Sequence, residues 1–408
     1  MSYGNAAGVV AGRLFHECVE SESRAAGSRP RRPRPVTHFD HSCRLDCLVF
    51  VTNLQQLRVY AVSHSLFPPV TLKAAIERMG FVQADPIRSP ARAQDLILRH
   101  RVTDYKAGDL ERHYRSLDIE EDDLYAYGFL SREIWQLLHP RTATRLPKLD
   151  QKVLELVRAV GAMHPSHPEA AFGGKRVVNA WGGYSKATKS ALERLHHGGF
   201  LRIAHREKGI RVYEAVPPVS ASLSPDERLQ GLVLAVANIL APVPEKTLHS
   251  MTSFVRRPIA KAPNHRKTIQ RLISDGKLER QVIDEIGYLW PAPTVVSEPP
   301  PRLVRFLAPF DPVVWDRLRF EHLWGWPYRF EAYTPSAKRV RGYYAMPLLW
   351  CDRVIGWANA GIAGNKVTVE VGFVGKRPAD REFKKELEAE MARLQTFLDR
   401  EGGPPRTT

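Results

Sequence analysis

The stretch YSKATKSALERLHHGGFLRIAHREKGIRVY, residues 184–213, decides the fold. Ala187, Ala191 and Leu195 recur at i, i+4 and i+8, which places them on one face of a helix, while Lys186, Lys189 and Ser190 face elsewhere. Gly198 and Gly199 end that helix, because glycine accepts the left-handed conformation a helix terminus demands. Residues 200–204 then read as a strand, 207–209 as a turn and 210–213 as the return strand. Helix, glycine turn and two-stranded hairpin are the recognition helix and wing of a winged helix-turn-helix, with a supporting helix expected near 149–160.

The pattern repeats. Residues 265–274 form a basic helix with Ile269, Leu272 and Ile273 inward, Asp275 and Gly276 turn the chain, and 277–283 and 288–290 flank a second turn. Gly199 and Gly276 are equivalent points 77 residues apart, and two copies of one unit rarely arise by chance. A weaker copy lies upstream: Leu72, Ala75, Ile76 and Met79 share a helical face, Gly80 ends the helix, and 81–85 reads as a strand. The expected fold is therefore α+β, tandem winged helix-turn-helix units followed by a small C-terminal β domain and a terminal helix. The boundaries read as a disordered basic extension over 1–52, a first unit with a helical insert (106–148) over 53–149, and further units over 150–217 and 218–292. A proline-rich linker then leads to a β domain with closing helix over 303–400.

Sixty Lys and Arg oppose 44 Asp and Glu in 408 residues, a formal net charge of +16. Such a field favours polyanions, nucleic acid foremost. A membrane surface is the competing partner, but no basic amphipathic helix, lipid anchor, apolar span of roughly 18 residues or signal pattern is evident. The expected setting is cytoplasmic, associated with DNA, with no obligatory protein partner. Four cysteines do not make a disulfide framework, and His41, Cys43 and Cys47 lack the paired spacing of a zinc site. No metal and no organic cofactor are expected. Arg29 to Pro35, alternating Arg and Pro, resists helix and sheet alike.

Binding alone does not imply catalysis; the deviation in the first copy does. Along a strand Gln83 and Asp85 share one face, with Cα atoms roughly 7 Å apart, and Pro86 ends or bends the strand at once. A carboxamide and a carboxylate converging there can bind and activate water. A purine alkylated at N7 is already cationic and leaves without a general acid, so the remaining task is to stabilise an oxocarbenium-like sugar and aim water at C1′. A carboxylate about 4 Å from that cation contributes on the order of 4 kcal/mol at an effective dielectric near 20, about a thousandfold in rate. Asp85 is thus the candidate base and cation stabiliser, and Gln83 the group that positions water. Lys186, Lys189, Arg202, Arg206, Arg266, Lys267 and Arg271 are candidate phosphate contacts, extended by Lys338 and Arg339 on the β domain. Tyr125, Tyr127 and Trp135 are candidates for stacking on a displaced base. The acidic run of Asp118, Glu120, Glu121, Asp122 and Asp123 reads as a solvated loop.

Residues 80–87 (GFVQADPI), Arg92 with Ala93, and 96–105 (LILRHRVTDY) resemble the YcaQ-type bacterial family of alkylpurine and crosslink-repair DNA glycosylases. So do 307–317 (LAPFDPVVWDR), 328–333 (YRFEAY), Lys338 with Arg339, and 342–349 (GYYAMPLL). The resemblance runs from about 54 to 398. It implies tandem winged helices, a catalytic Gln-x-Gln or Gln-x-Asp triplet matched here by Gln83 and Asp85, and cofactor-free monofunctional release of N7-alkylpurines from duplex DNA. Two stretches depart from the family pattern. Residues 123–129 (DLYAYGF) stand where many members carry Glu-Tyr-Trp-x-His, and Arg92-Ala93-Gln94-Asp95 where Arg-Ala-His-His is usual. The competing reading is a winged-helix transcriptional regulator with an inert triplet. A metal-dependent nuclease would need a second carboxylate beside Asp85, which the sequence does not offer.

Overall fold

The computed structural model describes residues 51–141, 145–178, 182–207, 209–216, 223–293, 299–364 and 366–399. The basic extension with Cys18, Cys43 and Cys47 lies outside the described residues, apart from Val51 and Thr52; Val51 is already buried. No helix among the described residues is long and apolar enough to cross a membrane.

The first unit begins with α1 (Leu54–Ser65), whose N-cap Asn53 accepts the Gln56 N–H. Next, α2 (Leu72–Met79) starts under the Thr71 hydroxyl and buries Ala75, Ile76 and Met79. It stops at Gly80, whose φ of 71° suits glycine; a Cβ there would also meet the Ile134 side chain at 2.5 Å. The strand β1 (Phe81–Gln83) follows directly. Two short helices, α3 (Ala93–Leu98) and α4 (Asp109–His113), then precede a hairpin, β2 (Ile119–Asp123) and β3 (Tyr127–Ser131). The sheet order is β1-β3-β2, antiparallel, with Gln83 opposite Gly128. The segment expected as a helical insert therefore supplies two of the three strands on which the first unit is built. The acidic run forms β2 rather than a solvated loop, with Glu120, Glu121 and Asp122 buried.

After α5 (Arg132–Leu138) the second unit runs α6 (Lys148–Val160), α7 (Ser166–Phe172), a small ladder of β4 (Arg176–Val178) with β5 (Tyr184–Lys186), then α8 (Ala187–His197). It closes with the hairpin β6 (Leu201–Glu207) and β7 (Ile210–Ala215). The third unit has the same three helices and closing hairpin without the small ladder: α9 (Pro225–Ile239), β8 (Val243–Pro244), α10 (Glu245–Val255), α11 (His265–Ser274), β9 (Leu278–Ile283) and β10 (Ile286–Pro291). Its hairpin turns through Asp284 and Glu285, both at positive φ, the conformation that matches strand twist in a two-residue turn. The copies agree in detail. Met163 pairs antiparallel with Tyr213 as Val243 pairs with Leu289. An ion pair also recurs between first and last helix: Asp150 with Arg194, and Asp226 with Arg271.

The C-terminal part is a four-stranded antiparallel sheet of β11 (Val304–Phe306), β12 (Met346–Trp350), β13 (Arg353–Ala363) and β14 (Lys366–Phe373). Two short helices, α12 (Pro312–Trp315) and α13 (Arg317–Trp324), interrupt it, and α14 (Arg381–Leu398) packs along it. One core cluster continues from Ala75, Val82 and Leu96 through Phe306, Met346 and Phe383 into Leu394. Buried polar groups stitch the same seam. The fully buried Arg101 guanidinium donates to both Asp311 carboxylate oxygens at 2.8 and 2.9 Å and to the Ser65 carbonyl at 2.8 Å. Glu390 of α14 pairs with Arg99 and accepts the Phe306 N–H at 3.0 Å. First unit and C-terminal sheet thus share one interior, and that seam carries the site.

Candidate active site

Gln83 ends β1, and Asp85 lies two residues on, each 5 % exposed. The Ala84 N–H still pairs with the Tyr127 carbonyl at 3.0 Å, so the chain stays against β3 until Pro86 turns it away. The Ile87 N–H donates to Asp85 Oδ1 at 2.9 Å and fixes the carboxyl. Burial raises the Asp85 carboxyl from its ordinary 3.8 to about 6, opposed only by that one hydrogen bond. It makes no ion pair with any described cation. Near neutral pH it is therefore an ionised, poorly solvated carboxylate, the state a general base requires.

Two tyrosines of the C-terminal domain lie within the electrostatic reach of Asp85. Burial first, and then the Asp85 charge, push the Tyr333 hydroxyl up to about 12 and the Tyr344 hydroxyl well above its ordinary range. Both rings pack on Phe330, at 6.0 and 5.2 Å between centroids. Two buried polar atoms here lack a hydrogen-bond partner among the described residues, Gln83 Oε1 and the Tyr344 hydroxyl. Each is able to form a hydrogen bond with a bound molecule. The signal for these two tyrosines in the sequence is that Tyr333 ends the family-like run 328–333 and Tyr344 lies in the run 342–349.

The stacking candidates are placed otherwise. Tyr125 is buried between Phe81 and Trp315, and Trp135 against His139, so both are core residues rather than pocket walls. The Tyr127 hydroxyl bonds Glu121, and the Arg211 guanidinium lies 4.6 Å from its ring centroid. Among the basic candidates, Arg202 and Arg206 of β6 are held by Glu120 and Glu121 of β2, each with a 3.0 Å contact. That clasp joins the first two units and engages charge expected at phosphates. Lys186 pairs with Glu169, Lys189 with Glu193 and Arg271 with Asp226. Arg266 and Lys267 stand exposed at the start of α11, and Lys338 is exposed on the C-terminal domain, where Arg339 lies over the Tyr343 ring.

The residues 92–95 and 123–129, which depart from the family pattern, have structural duties. Asp95 accepts the Tyr105 hydroxyl at 2.8 Å and the Gly108 N–H at 2.9 Å. Asp123 to Tyr127 makes the β2–β3 turn. Asp122, Asp123 and His197 lie close enough to share a metal ion. Asp122 is however already engaged by Arg141 and His139, at 2.8 and 2.7 Å, and Asp85 is not part of the group.

The chain is a mixed helix-and-strand protein with a buried carboxylate, Asp85, that makes no ion pair with a described residue. The family model described as DNA glycosylase AlkZ-like matches residues 76–397, and this chain belongs to that family. It is a DNA repair glycosylase, a hydrolase of N-glycosyl bonds whose substrate is DNA. Among solved structures it is similar to the Streptomyces sahachiroi DNA glycosylase AlkZ, at 14% sequence identity and a TM-score of 0.57, covering 85% of this chain and 96% of that one. At that identity the likeness is one of fold.

Proposed function

We propose that this glycosylase removes N7-alkylated purines from duplex DNA, with Asp85 as base and charge stabiliser and Gln83 as the residue that positions the water. The observation that carries the reading is the buried Asp85 carboxylate, raised to about 6 and without a cation, beside the unpartnered Gln83 Oε1. As the C1′–N9 bond breaks, its electron pair returns to the purine and neutralises the cationic ring. The sugar carries the positive charge, which Asp85 offsets through a low-dielectric gap. Water, held through one hydrogen by Gln83 Oε1, adds to C1′ and passes its proton to Asp85. An uncharged amide suits that task because it orients the water without drawing the charge away from the sugar.

The helix-and-hairpin units fit this reading as tandem winged helices, α8 with β6–β7 and α11 with β9–β10, that hold the duplex through its phosphates. The boundaries 53–149, 150–217, 218–292 and 303–400 are proposed on the same basis. No lysine acts as nucleophile in this scheme, so the product is an intact strand with an abasic site. The test is release of 7-methylguanine from a duplex oligonucleotide, read as strand breakage only after alkali. Asp85→Asn is expected to lose about a hundredfold or more. Equal rates for the two proteins would remove Asp85 from the chemistry, and breakage without alkali would refute monofunctional action.

A further inference from the structure

Between Arg329 and Cys351 the chain carries one acid, Glu331, against Arg329, Lys338, Arg339 and Arg341. That acid is turned inward. Its Oε2 accepts the backbone N–H groups of Val340, Arg341 and Gly342 at 2.9, 2.8 and 3.3 Å. The Thr334 N–H returns to the Glu331 carbonyl at 2.9 Å, and Arg339 Nε donates to the Thr334 carbonyl at 2.9 Å. Asn359 of β13 donates to the Arg341 carbonyl at 2.7 Å. Gly342, at φ 124°, lets that strand approach, since a Cβ there would lie 2.4 Å from Asn359 Oδ1. The Arg341 guanidinium is laid over Trp326 and Trp357. A loop tied at this many points has lost its conformational freedom already.

What the loop presents is apolar. Val340 is 77 % exposed, the most exposed large hydrophobic among the described residues, with Tyr333 at 53 % and Tyr343 at 44 %. Surface loops usually carry polar tips; a rigid one with a bare valine between cations is pre-organised for a partner that is apolar in its interior and anionic at its edges. Stacked bases between phosphates have that chemistry. The position agrees, because Tyr333 at the base of the loop lies within the electrostatic reach of Asp85.

We propose that residues 331–343 are a duplex wedge: Val340 enters the base stack beside the damaged nucleotide, Tyr333 and Tyr343 cover the unstacked base faces, and Lys338 and Arg339 hold the flanking phosphates. Apolar side chains inserted between base steps are a recognised way of opening a duplex. This inference rests on the glycosylase reading of Asp85 and adds how a buried carboxylate gains access to C1′.

The test uses the full chain and two duplexes, with 7-methylguanine opposite cytosine or opposite a tetrahydrofuran abasic analogue, which needs no unpairing. Val340→Ser should slow single-turnover release from the paired duplex about tenfold or more and leave the abasic-opposed lesion within about twofold of wild type. Equal slowing on both duplexes, or on neither, would overturn the wedge. A second readout does not depend on catalysis. With 2-aminopurine beside a tetrahydrofuran site in an otherwise intact duplex, wild type and Asp85→Asn should raise the fluorescence by unstacking, and Val340→Ser should not. Should wild type release no 7-methylguanine yet unstack 2-aminopurine through Val340, the wedge stands and the substrate assignment falls. Unstacking unchanged by Val340→Ser would refute the wedge and point to a protein partner for this loop.

Discussion

Asp85→Asn should make the protein more stable while making it inactive, and the two effects share one cause. Folding moves the Asp85 carboxyl from an ordinary 3.8 to about 6. A carboxyl raised on folding is a liability, absent below the unfolded value, growing between 3.8 and 6, and complete above 6. At about 1.4 kcal/mol for each tenfold, the folded state loses about 1 kcal/mol at about pH 4.5 and about 3 kcal/mol at about pH 7.5. Asparagine carries no charge and keeps an oxygen for the Ile87 N–H, so it relieves the liability without breaking the local turn. Urea unfolding of both proteins at those two pH values is the measurement. The variant should gain about 2 kcal/mol more at the higher pH than at the lower, with an unchanged denaturant slope. A gain independent of pH would show that burial does not perturb this carboxyl. A loss of stability at about pH 7.5 would show that a favourable interaction holds the charge, and the case for a poised base would fail with it.

The single-turnover rate of the wild type should rise with pH through about 6 and then level, because the ionised Asp85 is the active form; a rate that falls over that range would assign the carboxyl the role of an acid. Asp311→Ala leaves the Arg101 charge buried without its partner and should cost about 3–5 kcal/mol in urea unfolding, while Arg101→Met with Asp311→Leu should recover most of that loss. Replacing Arg266 and Lys267 together by alanine should weaken binding to any undamaged duplex and reduce the slope of log affinity against log salt by about 2; an unchanged slope would take α11 off the DNA.

The elements that can be read locally were read well. The helix expected over residues 265–274 has those bounds and is capped by Asn264, and the hairpin expected after Gly199 is paired. Gln83 and Asp85 were legible as a pair because two residues and a proline determine their relation. What escaped was everything settled at a distance. Five acids within six residues have no apolar alternation, and like charges in isolation belong in water. Here Glu120 is met by Arg132 and Arg202, Glu121 by Arg206 and Arg211, and Asp122 by Arg141 and His139, which makes a strand of them. Two of the cations expected at phosphates, Arg202 and Arg206, are among the residues that pair with those acids. Tyr125 and Trp135 are aromatic in either role, and only packing distinguishes a core ring from a stacking one. Tyr333 and Tyr344 lie some 250 residues from Asp85, beyond the reach of any spacing rule.

The buried ties Arg101–Asp311 and Glu390–Phe306 have a consequence for how the enzyme comes into being. Residues 83 and 85 leave the ribosome early, yet Tyr333 and Tyr344, within the electrostatic reach of Asp85, and α14, which ends at Leu398, follow some 250 residues or more later. At synthesis rates of about 5–20 residues per second, on the order of tens of seconds separate the two. On the proposed reading, Asp85 acquires its raised carboxyl only when the chain has folded around it. Long sequence separation usually counts only as a kinetic burden on folding. If Asp85 is the base proposed above, the same separation means that a chain cut short of the C-terminal domain should bind DNA through its charge and release no purine.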